Sequence, residues 1–269
     1  MSFIVKIGFG FLSILFIMPA YAGVFVYSSP SYYDVESDRV GSVSNGIYFS
    51  GEKFEAAYEK TELELKNNIF INQEDSSLVW KFNVKQTLLR LGLHYASSDE
   101  AESNNKKTFI LEVLHYSKDV FGNSIYFTLY SNNAVVWQLS SRFGRYYTPS
   151  FLPGTLYLQA QAEAILINTI TTDDSYFNLD LNAHLQVNSW WGLELGGWFG
   201  EKRSAVSGSG FVVYNLNDVY LGEARFRTTV NLSKNFSLKF GAQINQRESG
   251  LTKEIHNVSS FLGGMNYAF

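Results

Sequence analysis

Chemistry in this 269-residue chain must come from oxygen and nitrogen side chains, because cysteine is absent. Thiol catalysis, Cys-ligated metals and disulfide staples are thereby excluded. One set of charged residues falls on the polar parity of its alternating stretches, the presumed inner face. The acidic ones are Glu55, Glu59, Glu112, Glu163, Asp180, Glu194 and Glu223. The basic ones are Lys81, Lys85, Arg90, Arg142, Arg225, Arg227, Lys239 and Arg247. Basic residues dominate 81–90 and 225–247, and acidic residues dominate 163–194. On one face of a sheet such a set does one of two things. It sets a transverse field across a water-filled interior, or it closes that interior with cross-strand ion pairs. His94, His184 and His256 stand on different predicted strands without ligand spacing, so no metal site is expected; His94 and His184 read as polar members of the same face. No cofactor motif appears. His115 and Ser117 lie two apart, on one face of a strand, a spacing that allows a Ser–His hydrogen bond. Asp119 shares that face.

The elements that must position these groups are strands. Apolar residues alternate with polar ones, then a cluster of Asn, Ser, Gly or Asp intervenes. Leu78, Trp80, Phe82 and Val84 oppose Lys81, Asn83 and Lys85. Phe177, Leu179, Leu181, Ala183, Leu185 and Val187 oppose Asn178, Asp180, Asn182, His184 and Gln186. Tyr220, Ala224, Phe226 and Val230 oppose Glu223, Arg225 and Arg227. The stretch 53–65 changes parity, from Phe54, Ala56 and Tyr58 to Thr61, Leu63 and Leu65, which predicts a bulge near Lys60. Residues 67–77, 97–107 and 201–217 read as loops, and Phe121-Gly122-Asn123 as a turn. Strands of ten or more residues exceed the usual five or six of soluble domains but suit a tilted membrane crossing. Charge on the face opposite the apolar one inverts the soluble-barrel pattern. Charged residues make up 17% of the chain, below the roughly 25% of a soluble domain. Mean hydropathy is −0.07, too low for a helical membrane protein. The formal net charge is −4 with no basic run, so no nucleic-acid partner is expected.

Both ends carry signals. Lys6, an apolar run over 7–18, Pro19 and Ala20-Tyr21-Ala22 read as a secretory signal peptide cleaved after Ala22. The run is too short to span a bilayer, which takes about 20 residues. Residues 1–22 are thus the expected signal peptide and 23–269 one domain. At the other end Phe261, Gly263, Met265, Tyr267 and Phe269 form an apolar face, against Ser260, Leu262, Gly264, Asn266 and Ala268. This stretch resembles the C-terminal strand of Gram-negative bacterial outer-membrane β-barrels, in which a terminal Phe and alternating apolar residues are read by the barrel-assembly machinery.

The resemblance implies an all-β fold: a transmembrane antiparallel up-and-down β-barrel in the cell outer membrane, porin-like. Its apolar face meets outer-membrane lipid and lipopolysaccharide, and Phe261, Met265, Tyr267 and Phe269 are the assembly signal. About fourteen strands are expected, or twelve if the weak N-terminal ones are not both formed. The last strand should close on the first, near Gly23–Tyr33, where Pro30 interrupts the pattern. Short turns at 51–53, 188–190 and 232–235 fall on the periplasmic side with both termini, and longer connections fall outside. Trp190, Trp191, Tyr214, Tyr220, Tyr267 and Phe269 should form interfacial girdles. The expected pore-lining set is Lys81, Lys85, Arg90, Glu112, Arg142, Glu163, Asp180, His184, Glu194, Glu223, Arg225, Arg227, Lys239 and Arg247. The first functional expectation is a passive pore for small hydrophilic solutes. The second is a non-conducting structural or accessory barrel serving envelope integrity, adhesion or polymer export. The third is a lipid hydrolase. That likeness rests on His115 and Ser117 alone. Lys118 stands where the outer-membrane phospholipase and lipid A deacylase patterns have Asn, and the site falls at the periplasmic rim, away from the outer leaflet where those enzymes work.

Overall fold

Alternation with period two forces each strand to present one face to lipid and one to the interior. A computed structural model describes residues 22–34, 37–100, 104–169, 173–203, 206–207, 212–213, 218–249 and 253–269. The expected signal segment lies outside these residues apart from Ala22, as does Tyr214. The long strands are β1 (Gly23–Tyr33), β2 (Arg39–Ser50), β3 (Phe54–Leu65), β4 (Ile69–Val84), β5 (Thr87–Ser98), β6 (Lys106–Tyr116) and β7 (Asp119–Leu129). They continue as β8 (Val135–Tyr147), β9 (Thr155–Asn168), β10 (Asp173–Gln186) and β11 (Trp191–Lys202). The connection after β11 carries a two-rung ladder, β12 (Val206–Ser207) with β13 (Val212–Val213). The barrel resumes with β14 (Val219–Asn231), β15 (Phe236–Glu248) and β16 (Ile255–Ala268). Each long strand pairs antiparallel with the next, β11 pairs with β14, and β16 returns to β1. The sheet is therefore a closed up-and-down barrel of 14 strands, and no edge is left to pair with another chain.

Closure runs through the strand that Pro30 interrupts. Gly23 to Ser28 pair with Ala268 to Gly263, and Ser31 to Tyr33 pair with Ser260 to Val258, in one continuous register. Ser29 and Pro30 have no partner on β16, because proline lacks the N–H that the ladder needs. On the other side Pro30 still pairs with Val43 of β2. The Phe269 N–H donates to the Ala22 carbonyl at 2.7 Å, so the last residue is tied to the first strand. Phe261, Met265, Tyr267 and Phe269 are all exposed on the outer wall, as a lipid-facing apolar stripe requires. Deleting Phe269 should leave the isolated chain able to refold in detergent but remove most of it from the outer membrane of expressing cells. Membrane fractionation checks this, and undiminished assembly would remove Phe269 from the signal.

The turns 51–53, 85–86, 117–118, 187–190 and 232–235 share one end with both termini, as does the longer 148–154. The connections 203–218, 99–105 and 249–254 lie at the other end, where the longest was expected, but so do the short 66–68 and 130–134, and 148–154 breaks the pattern at the terminus end.

Four local expectations are corrected. The β3 register runs unbroken past Lys60 on both sides, the one shift in these ladders lying between Arg39 and Gly41 of β2, so there is no bulge at Lys60. Thr61 and Leu63 instead face the interior, and Lys60 and Glu62 face out. Residues 67–77 are not a loop: β4 starts at Ile69 and pairs with β3 from its first residue. Beyond Phe70 and Ile71, residues 72–76 are polar on both faces, with Glu74 and Ser76 outside and Gln73 and Asp75 inside. The turn near Gly122 lies earlier, at 117–118, and Phe121 to Asn123 are ladder residues of β7. A register shift between Tyr220 and Gly222 turns Tyr220 inward, so it leaves the apolar face and the girdle.

Candidate functional site in the barrel lumen

The interior is filled unevenly. Along β4–β8 most inward side chains are buried, and several are apolar: Val79, Ile110 and Tyr126 form one cluster. Tyr130, Ala134, Val136, Ile165 and Ile167 form a second at the end away from the termini. Around these sits an ion-pair network. Glu112 is 0% exposed and accepts from Arg90 and, at 2.5 Å, from Arg142 Nη2. Arg90 also donates to Glu55, whose other oxygen lies 3.4 Å from Lys81 Nζ. Antiparallel pairing sets Arg90 opposite Glu112, so strand register makes the pair.

The other side is hollow. A cavity of 810 Å³ lies against β8–β11 and β14. It is lined from Tyr146, Thr155 and Gln186 near the terminus end to Trp198 and Lys202 towards the other end. Arg225 is its hub: Nη2 donates to Asp180 at 2.8 Å, Nη1 donates to Glu223 at 2.9 Å, and Nε lies 3.7 Å from Glu194. Arg227 donates to Glu194 at 3.2 Å, and Lys202 Nζ is 2.9 Å from Glu163. Two smaller hollows adjoin it, of 430 Å³ against β1–β5 and β14–β16 and of 550 Å³ against β1–β6.

Of the sequence-predicted residues, Arg142, Glu163, Asp180, His184, Glu194, Glu223, Arg225 and Arg227 line the large cavity. Arg90 and Lys239 line the 550 Å³ hollow, and Lys239 Nζ sits 5.0 Å from the Phe25 ring centre. Lys81 and Glu112 belong to the ion-pair network. Arg247 is buried under the far end, where its Nη1 and Arg39 Nη2 each lie 3.1 Å from Asp218 Oδ2. Lys85 is corrected: it sits exposed in the β4–β5 turn with φ 55° and lies off the wall. Of the two alternatives for the charged face, the structure contains the cross-strand ion pairs. The basic and acidic blocks lie apart in sequence, but neighbouring strands interleave them, and Arg225 and Arg142 each meet a carboxylate.

Sequence reading missed Asp75 and Lys106 because both fell in presumed loops. His94 Nε2 lies 3.1 Å from Asp75 Oδ1, and Lys106 is fully buried at the start of β6. The parity of Ser77 and Thr108, extended outward by two residues, would have found both. Where β5 ends, Asn72 donates from Nδ2 and its backbone N–H to Asp99 Oδ2, each at 3.0 Å. Those bonds hold the Asp99 carboxyl below its ordinary pKa.

The hydrolase residues are engaged elsewhere. The Ser117 hydroxyl donates to the Asp119 carbonyl at 2.8 Å, closing the turn. His115 Nδ1 is 3.2 Å from Thr87 Oγ1. Asp119 binds Arg145 through both oxygens, at 2.5 and 2.6 Å. Among the described residues no group of three His, Cys, Asp or Glu is placed to hold a metal ion.

A closed 14-strand barrel with apolar side chains outside and ionised ones inside has the fold of Gram-negative outer-membrane β-barrels. Solved structures agree. The chain is similar to a bacterial polysaccharide outer membrane secretin at 10% identity and TM-score 0.52, over 93% of this chain and 99% of that one. It is similar to a Pseudomonas aeruginosa FadL homologue at 9% and 0.52, over 96% and 94%. A TodX deltaS2S3 mutant monoaromatic hydrocarbon channel matches at 7% and 0.52, over 94% and 91%. At these identities the likeness is one of fold. No family model and no curated protein matches the sequence.

Proposed function

We propose that this protein is an outer-membrane channel through which small hydrophilic solutes diffuse passively, without catalysis. The observation that carries this reading is the 810 Å³ cavity, polar along its length and placed on the side of the barrel that side chains leave unfilled. Wide barrels leave aqueous space where narrow ones are filled by their own side chains. The reading includes export through the periplasm behind a cleaved signal peptide ending at Ala22. It also includes recognition by the barrel-assembly machinery through Phe261, Met265, Tyr267 and Phe269, and residence among outer-membrane lipid and lipopolysaccharide. The engagement of Ser117 and His115 with other partners argues against lipid hydrolysis at that motif.

One observation favours the second reading, a non-conducting accessory barrel: the wall from β4 to β8 is packed with buried ion pairs and apolar side chains. Single-channel recording on the refolded chain, residues 23–269, in planar bilayers separates the two. Stepwise currents in potassium chloride are expected. Their absence, with correctly folded protein in the bilayer, would leave the accessory barrel.

A further inference from the structure

The 430 Å³ hollow beside the β1–β16 seam differs in chemistry from the ionised cavity across the lumen. Its wall on β1 and β2 is hydroxylic, with Ser29, Ser31, Ser42 and Ser44 pointing in. Two pairs link this wall to its neighbours: Ser31 Oγ lies 2.7 Å from Ser260 Oγ, and Ser44 Oγ lies 2.7 Å from Thr61 Oγ1. The Ser31–Ser260 pair shares one proton and keeps a second for a guest, whereas Thr61 also donates to Glu59 at 3.3 Å, so the Ser44–Thr61 pair offers lone pairs only. Between the hydroxyls stand the rings of Tyr27, Tyr33 and Tyr220. The Tyr27 ring lies over Gly46, where any Cβ would overlap it, and its hydroxyl donates to Glu59, so its position is fixed from both ends.

The two guanidinium groups at this lining are paired: Arg39 is 3.1 Å from Asp218, and Arg227 donates to Glu194 at 3.2 Å. Glu59 is held by hydroxyl donors, Tyr27 and, at 3.3 Å, Thr61. At the far end two buried side chains keep unmet hydrogen-bonding capacity. Asn245 lines the hollow, and its Oδ1 has no partner. Arg247, 1% exposed and 5.0 Å from the Tyr33 ring centre, has Nε and Nη2 without partners. Buried polar atoms left unmet cost free energy unless water or a ligand reaches them.

An anion gains little where the guanidinium groups are paired and Glu59 stands in the wall, and an apolar solute would strand the hydroxyls and the Asn245 carbonyl. A neutral polyhydroxylated solute meets all three requirements. Its hydroxyls both donate and accept, its C–H faces pack on aromatic rings, and it brings no charge to desolvate. The volume lies in the range of small-molecule sites, about 300–1,000 Å³. We propose that this hollow is a binding subsite for a neutral saccharide of one or two sugar units, held by the β1–β2 hydroxyls, Asn245 and the Tyr27, Tyr33 and Tyr220 rings. The proposal names the solute class of the channel and rests on that reading only in requiring a solvent-open lumen.

The test is saturation-transfer NMR with titration on the refolded chain, residues 23–269, in detergent. The probes are glucose, galactose, N-acetylglucosamine, maltose and lactose, with citrate and spermidine as charged comparators. Saturable binding of at least one sugar is expected, weaker by about tenfold in Ser44→Ala and in Asn245→Leu, one lost hydrogen bond each. Lys118→Gln, in an exposed turn, should bind as the parent does. Two independent variants guard against one that fails to fold, which circular dichroism would reveal. No sugar binding, equal binding by the charged comparators, or unchanged affinity in both folded variants overturns the subsite. Recording current on the same preparation keeps the readings apart: current without sugar binding sinks only the subsite, and binding without current sinks only the channel.

Discussion

Replacing Glu112 with glutamine should destabilise the folded barrel by about 3–5 kcal/mol, the range for removing one partner of a buried ion pair. Glu112 is fully buried and is shared by two guanidinium groups, Arg90 and Arg142. Arg90 keeps Glu55, but Glu55 already serves Lys81, so one carboxylate is left to three cations. Glutamine preserves the shape and removes the charge, so the loss reports electrostatics rather than packing. Arg227→Gln is the comparison. Its side chain is 43% exposed, and exposed pairs are worth about 0–1 kcal/mol. Urea unfolding in detergent or vesicles reads both; equal shifts for the two substitutions would show that the network adds nothing beyond surface pairs. Replacing Arg90, Glu112 and Arg142 together with apolar residues of similar volume should recover much of the loss, because the desolvation cost disappears with the charges.

Arg225→Ala should convert a near-neutral cavity into a cation-selective one. Arg225 is the only cation touching Asp180 and Glu223 in the described ion pairs, and it adds to Arg227 at Glu194. Its removal exposes two unmatched carboxylates on the cavity wall. Arg142, Lys202 and Arg227 remain, so the gain is local to these carboxylates, and potassium should gain about two- to threefold over chloride in dilute salt. The preference should fade in 1 M salt, where the screening length is about 3 Å. The reversal potential across a potassium chloride gradient measures it. If selectivity stays at the parent value while current persists, the ions do not pass Arg225, and the path lies through the seam-side hollows.

The parity of the side chains was legible because period two is a local property of a strand and needs no knowledge of its partner. Phe177 to Val187 and Phe261 to Phe269 announce their outer faces residue by residue. The signal failed where the environment changed along the strand. Above the lipid both faces of β4 are polar, so Asn72 to Ser76 looked like a loop. At Leu63 and Ile71, apolar side chains on the inner face imitated a parity change. At Tyr220 a real register shift passed unseen, since one extra residue leaves no mark on composition.

The alternation in the sequence, with the resemblance of its last strand, pointed to a transmembrane barrel of about fourteen strands, or twelve, closed between the first and the last with most charges inside, and the barrel has fourteen. Only the tertiary structure decided what those charges do. Asp180 and Arg225 are 45 residues apart and belong to blocks of opposite sign, yet Arg225 Nη2 lies 2.8 Å from Asp180. Register across β10, β11 and β14 places them together, and register is a relation between strands that no single strand encodes. The same relation gathers inward side chains into buried clusters and ion pairs on β4–β8, and on the β9–β14 wall it pairs the charges along the sheet and leaves 810 Å³ beside them.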